Sequence, residues 1–180
     1  KVKKNVSLSS LSTFRIGGKV KSFILARTSD ELVEAVEEAE SRNIKYRVFA
    51  GGSNVVFPDE GLDCLLIQAK GGSVDMDGNR VVADAGVSLA DIITFAISMG
   101  LQGLETLSGI PGTIGGAVFG NAGAYGRSMM EAVERVEILD TALMARMNTN
   151  GTNARKWLTN AQCGFEYRHS ALKDKPYLIL

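Results

Sequence analysis

The chain has 180 residues, 45% of them hydrophobic, and its 20 basic side chains balance 20 acidic ones to a formal net charge of zero. That balance removes the basic footprint on which binding to nucleic acid or an anionic membrane surface depends, so neither partner is expected. Apolar runs fall far short of the roughly 20 residues that cross a bilayer. The basic start Lys1-Val-Lys-Lys4 leads into a polar stretch and not into a secretory signal core, and a cytoplasmic protein is expected.

In chain order, Thr28-Ser-Asp-Glu31 has the spacing of a capping box. It opens a predicted helix with Leu32, Val33, Val36 and Ala39 on one face, ending near Asn43. Tyr46 to Phe49 and Cys64 to Ile67 read as short strands around the glycine loop Ala50-Gly-Gly-Ser-Asn54. Together these predict a β-α-β lobe over residues 1–70, bounded by Lys70-Gly-Gly-Ser73.

A second lobe is predicted over residues 71–180. It begins with the turn Asp77-Gly-Asn79 and the strand Arg80 to Ala83. Ser88 and Asp91 should cap a helix carrying Leu89, Ile92, Ile93 and Ala96, closed by Gly100 in a left-handed conformation. Val133 to Leu139 reads as a strand and Asn148 to Asn153 as a turn, while strand register across Thr141 to Asn153 is left open. Phe165 to Arg168 precedes a last strand, Tyr177 to Leu180, which stops without turn, cap or polar tail, as a chain cut inside an element does. Cys64 and Cys163 have no second thiol nearby in sequence, so they frame neither a disulfide scaffold nor a zinc site, and no metal is expected. The methionines, including Met129, Met130, Met144 and Met147, read as core filler.

The chemistry concentrates in glycine. Between Gly109 and Gly126, glycine and alanine alternate with Ile110, Ile114, Phe119 and Tyr125, a composition too apolar for a flexible linker. An ordered loop whose main-chain amides approach a ligand fits it better, and phosphate is the natural ligand for clustered amides. Pro111 would fix one φ and remove one N–H there. With Gly51 and Gly52, two such loops suggest a diphosphate held from two sides. Neither the dinucleotide G-x-G-x-x-G after a strand nor a loop ending in Gly-Lys-Ser/Thr is present.

Five motifs in order extend this reading: Thr13-Phe-Arg-Ile-Gly-Gly18, Gly51-Gly-Ser-Asn54, Gly109-Ile-Pro-Gly-Thr-Ile-Gly-Gly116, Asn121-Ala-Gly-Ala-Tyr-Gly126 and Cys163-Gly-Phe-Glu-Tyr-Arg-His-Ser170. They resemble the FAD-binding part of the UDP-N-acetylenolpyruvoylglucosamine reductase family from about residue 5 to the last residue. The resemblance implies an α+β, two-lobed FAD fold of the vanillyl-alcohol-oxidase / p-cresol-methylhydroxylase type, with the cofactor in the cleft between lobes. It also implies non-covalent FAD, NADPH as hydride donor, an enolpyruvyl UDP-sugar as substrate, and a monomer. A further domain of the family, with a serine proton donor and a glutamate, has no counterpart among these residues.

Carried over by motif, the cofactor contacts are Ala50, Gly51, Gly52, Ser53 and Asn54 from the first loop. From the second they are Ile110, Pro111, Gly112, Thr113, Gly115, Gly116, Ala117, Asn121, Ala122 and Gly123. Tyr125 and Tyr167 are implied substrate contacts. Arg168 is implied as both substrate contact and catalytic residue, because its planar, permanently charged fork suits a carboxylate on which negative charge grows. His169 is expected to be a solvated loop histidine and Ser170 a local hydrogen-bonding residue near Arg168. Ala50 stands where a third glycine is usual, and it would restrict the loop if that position required positive φ. Two alternatives stay open: another oxidoreductase of the same FAD fold, or an FAD-binding fragment without turnover. Neither glycine loop carries the histidine or cysteine that a covalent flavin would need.

Overall fold

The structure is a computed structural model that describes residues 1–147 and 150–180. Strands β1 (Lys3–Ser7) and β2 (Lys19–Ala26) come first, then helix α1 (Ser29–Ser41) and strands β3 (Tyr46–Phe49) and β4 (Leu62–Ala69). These four strands form one sheet in the order β1-β2-β4-β3, with β1 antiparallel to β2 and β4 parallel to both its neighbours. Sequence reading finds α1, β3 and β4 but passes over β1 and β2. Cys64 to Ala69 of β4 are buried without a break, as in a central parallel strand covered on both faces.

One face of that sheet is covered by Leu32, Val36 and Ala39 of α1 packed on Leu65 and Ile67. The other face buries Leu8, Val20, Phe23, Phe57 and Leu66. Thr28 caps α1 by accepting from the Glu31 amide at 3.2 Å, but Glu31 accepts from the Arg27 amide at 2.6 Å and does not close the reciprocal box on Thr28. The helix ends where expected: Asn43 is left-handed at φ 52°, and Ile44 N–H donates to the Ala39 carbonyl at 2.8 Å.

The chain continues through the hairpin β5 (Val74–Asp77) and β6 (Arg80–Ala83), α2 (Leu89–Ser98) and the short α3 (Ile114–Phe119). A two-residue hairpin, β7 (Gly123–Ala124) and β8 (Arg127–Ser128), precedes β9 (Arg135–Asp140). Then follow α4 (Thr141–Met147), α5 (Gly151–Ala154), β10 (Arg155–Thr159) and β11 (Tyr177–Ile179), giving a second sheet in the order β10-β9-β11. Gly100 closes α2 at φ 73° as expected, whereas the Ser88 side chain makes no capping hydrogen bond.

Three expectations are corrected in this half. Thr141 to Met147 is helical, started by the Asp140 carboxylate, which accepts from Leu143 N–H at 3.0 Å. The described part of the turn expected at Asn148 to Asn153 is an N-cap, Asn150, followed by α5; residues 148 and 149 lie outside the described residues. Met129 and Met144 are buried core, but Met76, Met99 and Met130 are exposed; the Met147 side chain lies outside the described residues. Leu139, Met144, Ala154 and Leu180 join the cluster that covers α1, so that apolar cluster runs across the Lys70 to Ser73 segment. Cys64 and Cys163 are buried free thiols; burial raises both and keeps them protonated.

Candidate functional site

The two glycine loops meet. A Cβ on Gly51 would lie 3.0 Å from Gly112 Cα, and Ser53 Oγ donates to the Pro111 carbonyl at 3.1 Å. The first loop leaves β3 and is held by Gln68, the one polar side chain in the buried stretch of β4, whose Nε2 donates to the Ala50 carbonyl at 3.0 Å. From the other side Thr13 N–H donates to the Gly52 carbonyl at 3.2 Å, and Gly52 sits at φ 70° so close to the Leu11 carbonyl that no Cβ fits. The motif Thr13 to Gly18 is therefore a strap under this loop: Gly18 N–H donates to the Pro58 carbonyl at 2.9 Å, and a Cβ on Gly17 would strike Phe57. Ala50 is not among the left-handed residues, so alanine fits at this position without strain.

The second wall is fixed to the segment between β6 and α2. Leu89 N–H donates to the Gly112 carbonyl at 3.0 Å, Ile114 N–H to Val87 O at 2.9 Å and Gly115 N–H to Ala85 O at 2.9 Å. Thr113 caps α3, its Oγ1 accepting from Gly116 N–H at 3.2 Å, while Ala117 N–H donates to the Thr113 carbonyl at 2.9 Å. The amides of Gly115, Gly116 and Ala117 are thus engaged within the protein. Gly115 is glycine because a Cβ would lie 2.6 Å from Ala85 Cβ. Among the described residues, the amides of Gly51, Gly52, Ser53, Asn54, Gly109, Gly112 and Thr113 donate to no protein acceptor. Gly112, at φ 124°, would direct a Cβ to within 2.9 Å of Ser53 Oγ, and a Cβ on Gly109 would meet nothing within 4 Å. This junction of bare amides fits a phosphate group.

Beyond α3 the chain presents two tight turns. Tyr125, at φ 53°, and Gly126 form the apex of the β7–β8 hairpin, and Tyr125 is 90% exposed. Tyr167 and Arg168 form a second apex, closed by Glu166 N–H to His169 O at 3.0 Å and His169 N–H to Glu166 O at 3.1 Å. Tyr167 is 91% exposed, and Arg168, at φ 56°, stacks its guanidinium 5.8 Å from the Tyr167 ring. His169 Nε2 pairs with the Asp174 carboxylate at 3.0 Å.

Two residues assigned other roles in the sequence tie these turns down. Asn121 is 3% exposed; its Nδ2 donates to the Glu166 carbonyl at 2.7 Å and its Oδ1 accepts from Met130 N–H at 3.0 Å. Its side-chain amide joins the glycine loop to the Tyr167–Arg168 turn. Ser170 is fully buried and donates to the Phe119 carbonyl at 2.8 Å, a contact across the fold and not a local one. Ala122 packs into the core around α2 and α3, and Ile110 borders the same cluster. Gly123 lies so near Arg127 O that a Cβ would come within 2.6 Å of it. A groove of about 1010 Å³ between β6 and the β9–β11 sheet includes none of the first glycine loop.

The family model of the FAD binding domain matches residues 20–142, and the chain belongs to that family. Within it, the chain is similar to UDP-N-acetylenolpyruvoylglucosamine reductases. The protein of that name from Lactobacillus acidophilus is 33% identical over 180 residues, an alignment that covers 99% of this chain and 57% of the relative. The solved structure of the reductase from Thermus caldophilus matches with a TM-score of 0.77 at 31% identity, over 99% of this chain and 59% of that one. Aclacinomycin oxidoreductase, at 19% identity and a TM-score of 0.64 over 89% of this chain and 34% of its own, shares the fold. The fold is the mixed α and β FAD-binding fold of vanillyl-alcohol-oxidase type. The chain spans little more than half the length of the curated relatives it matches.

Proposed function

We propose that this chain is the FAD-binding part of a reductase that converts UDP-N-acetylglucosamine enolpyruvate to UDP-N-acetylmuramate, a step in peptidoglycan precursor synthesis, with NADPH as reductant. The observation that supports the cofactor half of this reading is the meeting of two glycine loops at Gly51, Ser53, Pro111 and Gly112, in segments whose amides at Gly51 to Asn54, Gly109, Gly112 and Thr113 donate to no acceptor among the described residues. Those N–H groups would donate to the diphosphate oxygens of non-covalently held FAD, which supplies two-electron transfer between nicotinamide and substrate when bound.

Arg168 would present its fork to the substrate carboxylate and stabilise the negative charge that grows there in the transition state. Tyr167 and Tyr125, exposed on neighbouring turns, would bracket the sugar nucleotide. The protein would act as a cytoplasmic monomer. Because Tyr125 and Tyr167 are uncovered here, FAD binding with little turnover is proposed for the chain by itself.

The test is an absorption titration with FAD, followed by acid precipitation. A flavin spectrum on the protein that moves entirely to the supernatant as FAD supports the reading. Protein that takes up no FAD overturns the assignment of the junction. For the activity, a chain of the relatives' full length should oxidise NADPH only when the enolpyruvyl UDP-sugar is present, and substrate-independent turnover alone would exclude this substrate.

A further inference from the structure

Asp84 follows β6 and is half-buried, yet it touches neither glycine loop. Its Oδ1 accepts from the Ser29 N–H at 3.1 Å and from the Ser29 hydroxyl, at the first turn of α1. Its Oδ2 accepts from the Ser73 N–H at 2.7 Å and the Ser73 hydroxyl at 3.2 Å. One carboxylate thus holds the start of the 13-residue helix α1 and the segment that leaves β4, and a carboxylate at a helix N-terminus is favoured by the exposed amides there.

Around it the backbone leaves no slack. Asp84 N–H donates to Ser73 O at 3.2 Å and Gly71 N–H to Gly86 O at 2.8 Å. A Cβ on Gly72 would overlap Asp84, and one on Gly86 would sit 2.7 Å from the Gly71 carbonyl. Ala85, the next residue, and Val87, three positions on, accept the amides of Gly115 and Ile114. Hydrogen bonds at both ends of the short backbone segment Asp84 to Val87 therefore connect α1 and Ser73 to the wall that carries Gly112 opposite Gly51 and Ser53.

We infer that Asp84 is a positioning residue for the FAD cradle: by clamping the strap Asp84 to Val87 against α1 and Ser73, it sets the second glycine loop at its working distance from the first. The inference rests on the cradle reading above for its consequence, and on the hydrogen bonds alone for its geometry. Burial by itself would raise the Asp84 carboxyl, but the four donors from Ser29 and Ser73 outweigh it and hold the group below its ordinary value, so it is ionised near neutral pH. As an anion it can accept all four donors. The neutral side-chain amide introduced by Asp84→Asn would turn an NH₂ towards groups that are themselves donors.

The experiment has two arms on the 180-residue chain. In the first, amide hydrogen exchange is compared between the parent chain and Asp84→Asn. Protection at Ile114 and Gly115 should fall by roughly tenfold, the scale of one lost charge-assisted hydrogen bond, while Ile138 in the buried part of β9 keeps its protection. Unchanged exchange at Ile114 and Gly115, or an equal loss at Ile138, overturns the inference. Ser73→Ala, which removes one hydroxyl donor, should give the same pattern more weakly if Asp84→Asn does not fold.

In the second arm the FAD dissociation constant should rise by roughly tenfold in Asp84→Asn. Asp140→Asn serves as control: that carboxylate accepts from Lys156 at 2.8 Å and from Leu143 N–H at 3.0 Å, away from the cradle. It should lower the melting temperature without moving FAD affinity. If FAD affinity instead tracks the melting temperature in both variants, Asp84 is structural only and the inference fails. If the parent chain takes up no FAD, the cradle reading fails, and the exchange arm still decides whether Asp84 holds the loop.

Discussion

The glycine junction and the exposed turns meet opposite requirements. At the junction the groups proposed to work are main-chain amides, so a Cβ at the glycine positions is an obstruction. Gly51, Gly52 and Gly112 stand where a Cβ would strike another loop or require a left-handed backbone. Both walls are anchored, by buried Gln68 and exposed Thr13 on one side and by buried Ala85 and Val87 on the other. At the turns the groups proposed to work are side chains. Tyr125 and Arg168 sit at φ 53° and 56° on two-residue apices that point the side chains outwards. Each left-handed residue costs about 1–2 kcal/mol. The hydrogen bonds of buried Asn121 and Ser170 to Glu166, Met130 and Phe119 offset part of it. Recognition through the main chain thus needs two packed walls, whereas presenting a side chain needs one tight turn and a tie.

The largest expected effect tests the turns. In a chain of the relatives' full length, Arg168→Ala should lower turnover of the enolpyruvyl sugar by a factor of about a hundred to a thousand, as for loss of one group that stabilises a growing anion. FAD affinity should stay unchanged. Rapid-mixing measurement of the two half-reactions separates the cases, and equal slowing of both would place Arg168 with the structural residues.

Next in size, Gly112→Val puts a branched Cβ on a left-handed position that faces the other loop, and should weaken FAD binding by roughly a hundredfold. Gly115→Val differs in kind, because its Cβ meets Ala85 and not the junction. It should lose thermal stability along with FAD. If Gly112→Val titrates like the parent, the junction is not the cradle.

Asn121→Ala sharpens the role of the tie. It removes the part-buried hydrogen bonds to the Glu166 carbonyl and the Met130 amide, each with a net contribution of about 1 kcal/mol. Urea unfolding should show a loss of that order. Proteolysis at Tyr167 and Arg168 should accelerate while FAD affinity changes little. A variant as stable as the parent would show that the tie is not needed. The smallest effect is expected for Met144→Leu, a volume-conserving change in the cluster over α1, at less than about 1.5 kcal/mol and with no shift in FAD affinity.

Much of the fold is legible because its signals are short-range. The Thr28 cap, the apolar face of α1, the left-handed stops at Asn43 and Gly100 and the Asp77-Gly-Asn79 turn each depend on residues within a few positions. The same logic could have found α4: Asp140 followed by Thr-Ala-Leu-Met-Ala-Arg-Met is a cap before good helix formers. The asparagines that follow it mask that signal and make the whole stretch read as irregular. Gln68 also leaves a trace, as a single polar residue in an apolar strand.

What the sequence determined by itself was the set of ordered motifs, hence the FAD fold, and the two places where glycine is required. Only the tertiary structure decided which amides remain available. Nothing local distinguishes Gly112, whose N–H is unbonded, from Gly115, whose N–H is held by Ala85, because that partner comes from a different segment. The same holds for Asn121, which reads as a cofactor contact in sequence and whose side chain ties two turns together because its acceptor, Glu166, arrives from 45 positions away. A hydrogen bond is satisfied by whatever group packing brings within about 3 Å, and across such separations packing alone makes that choice.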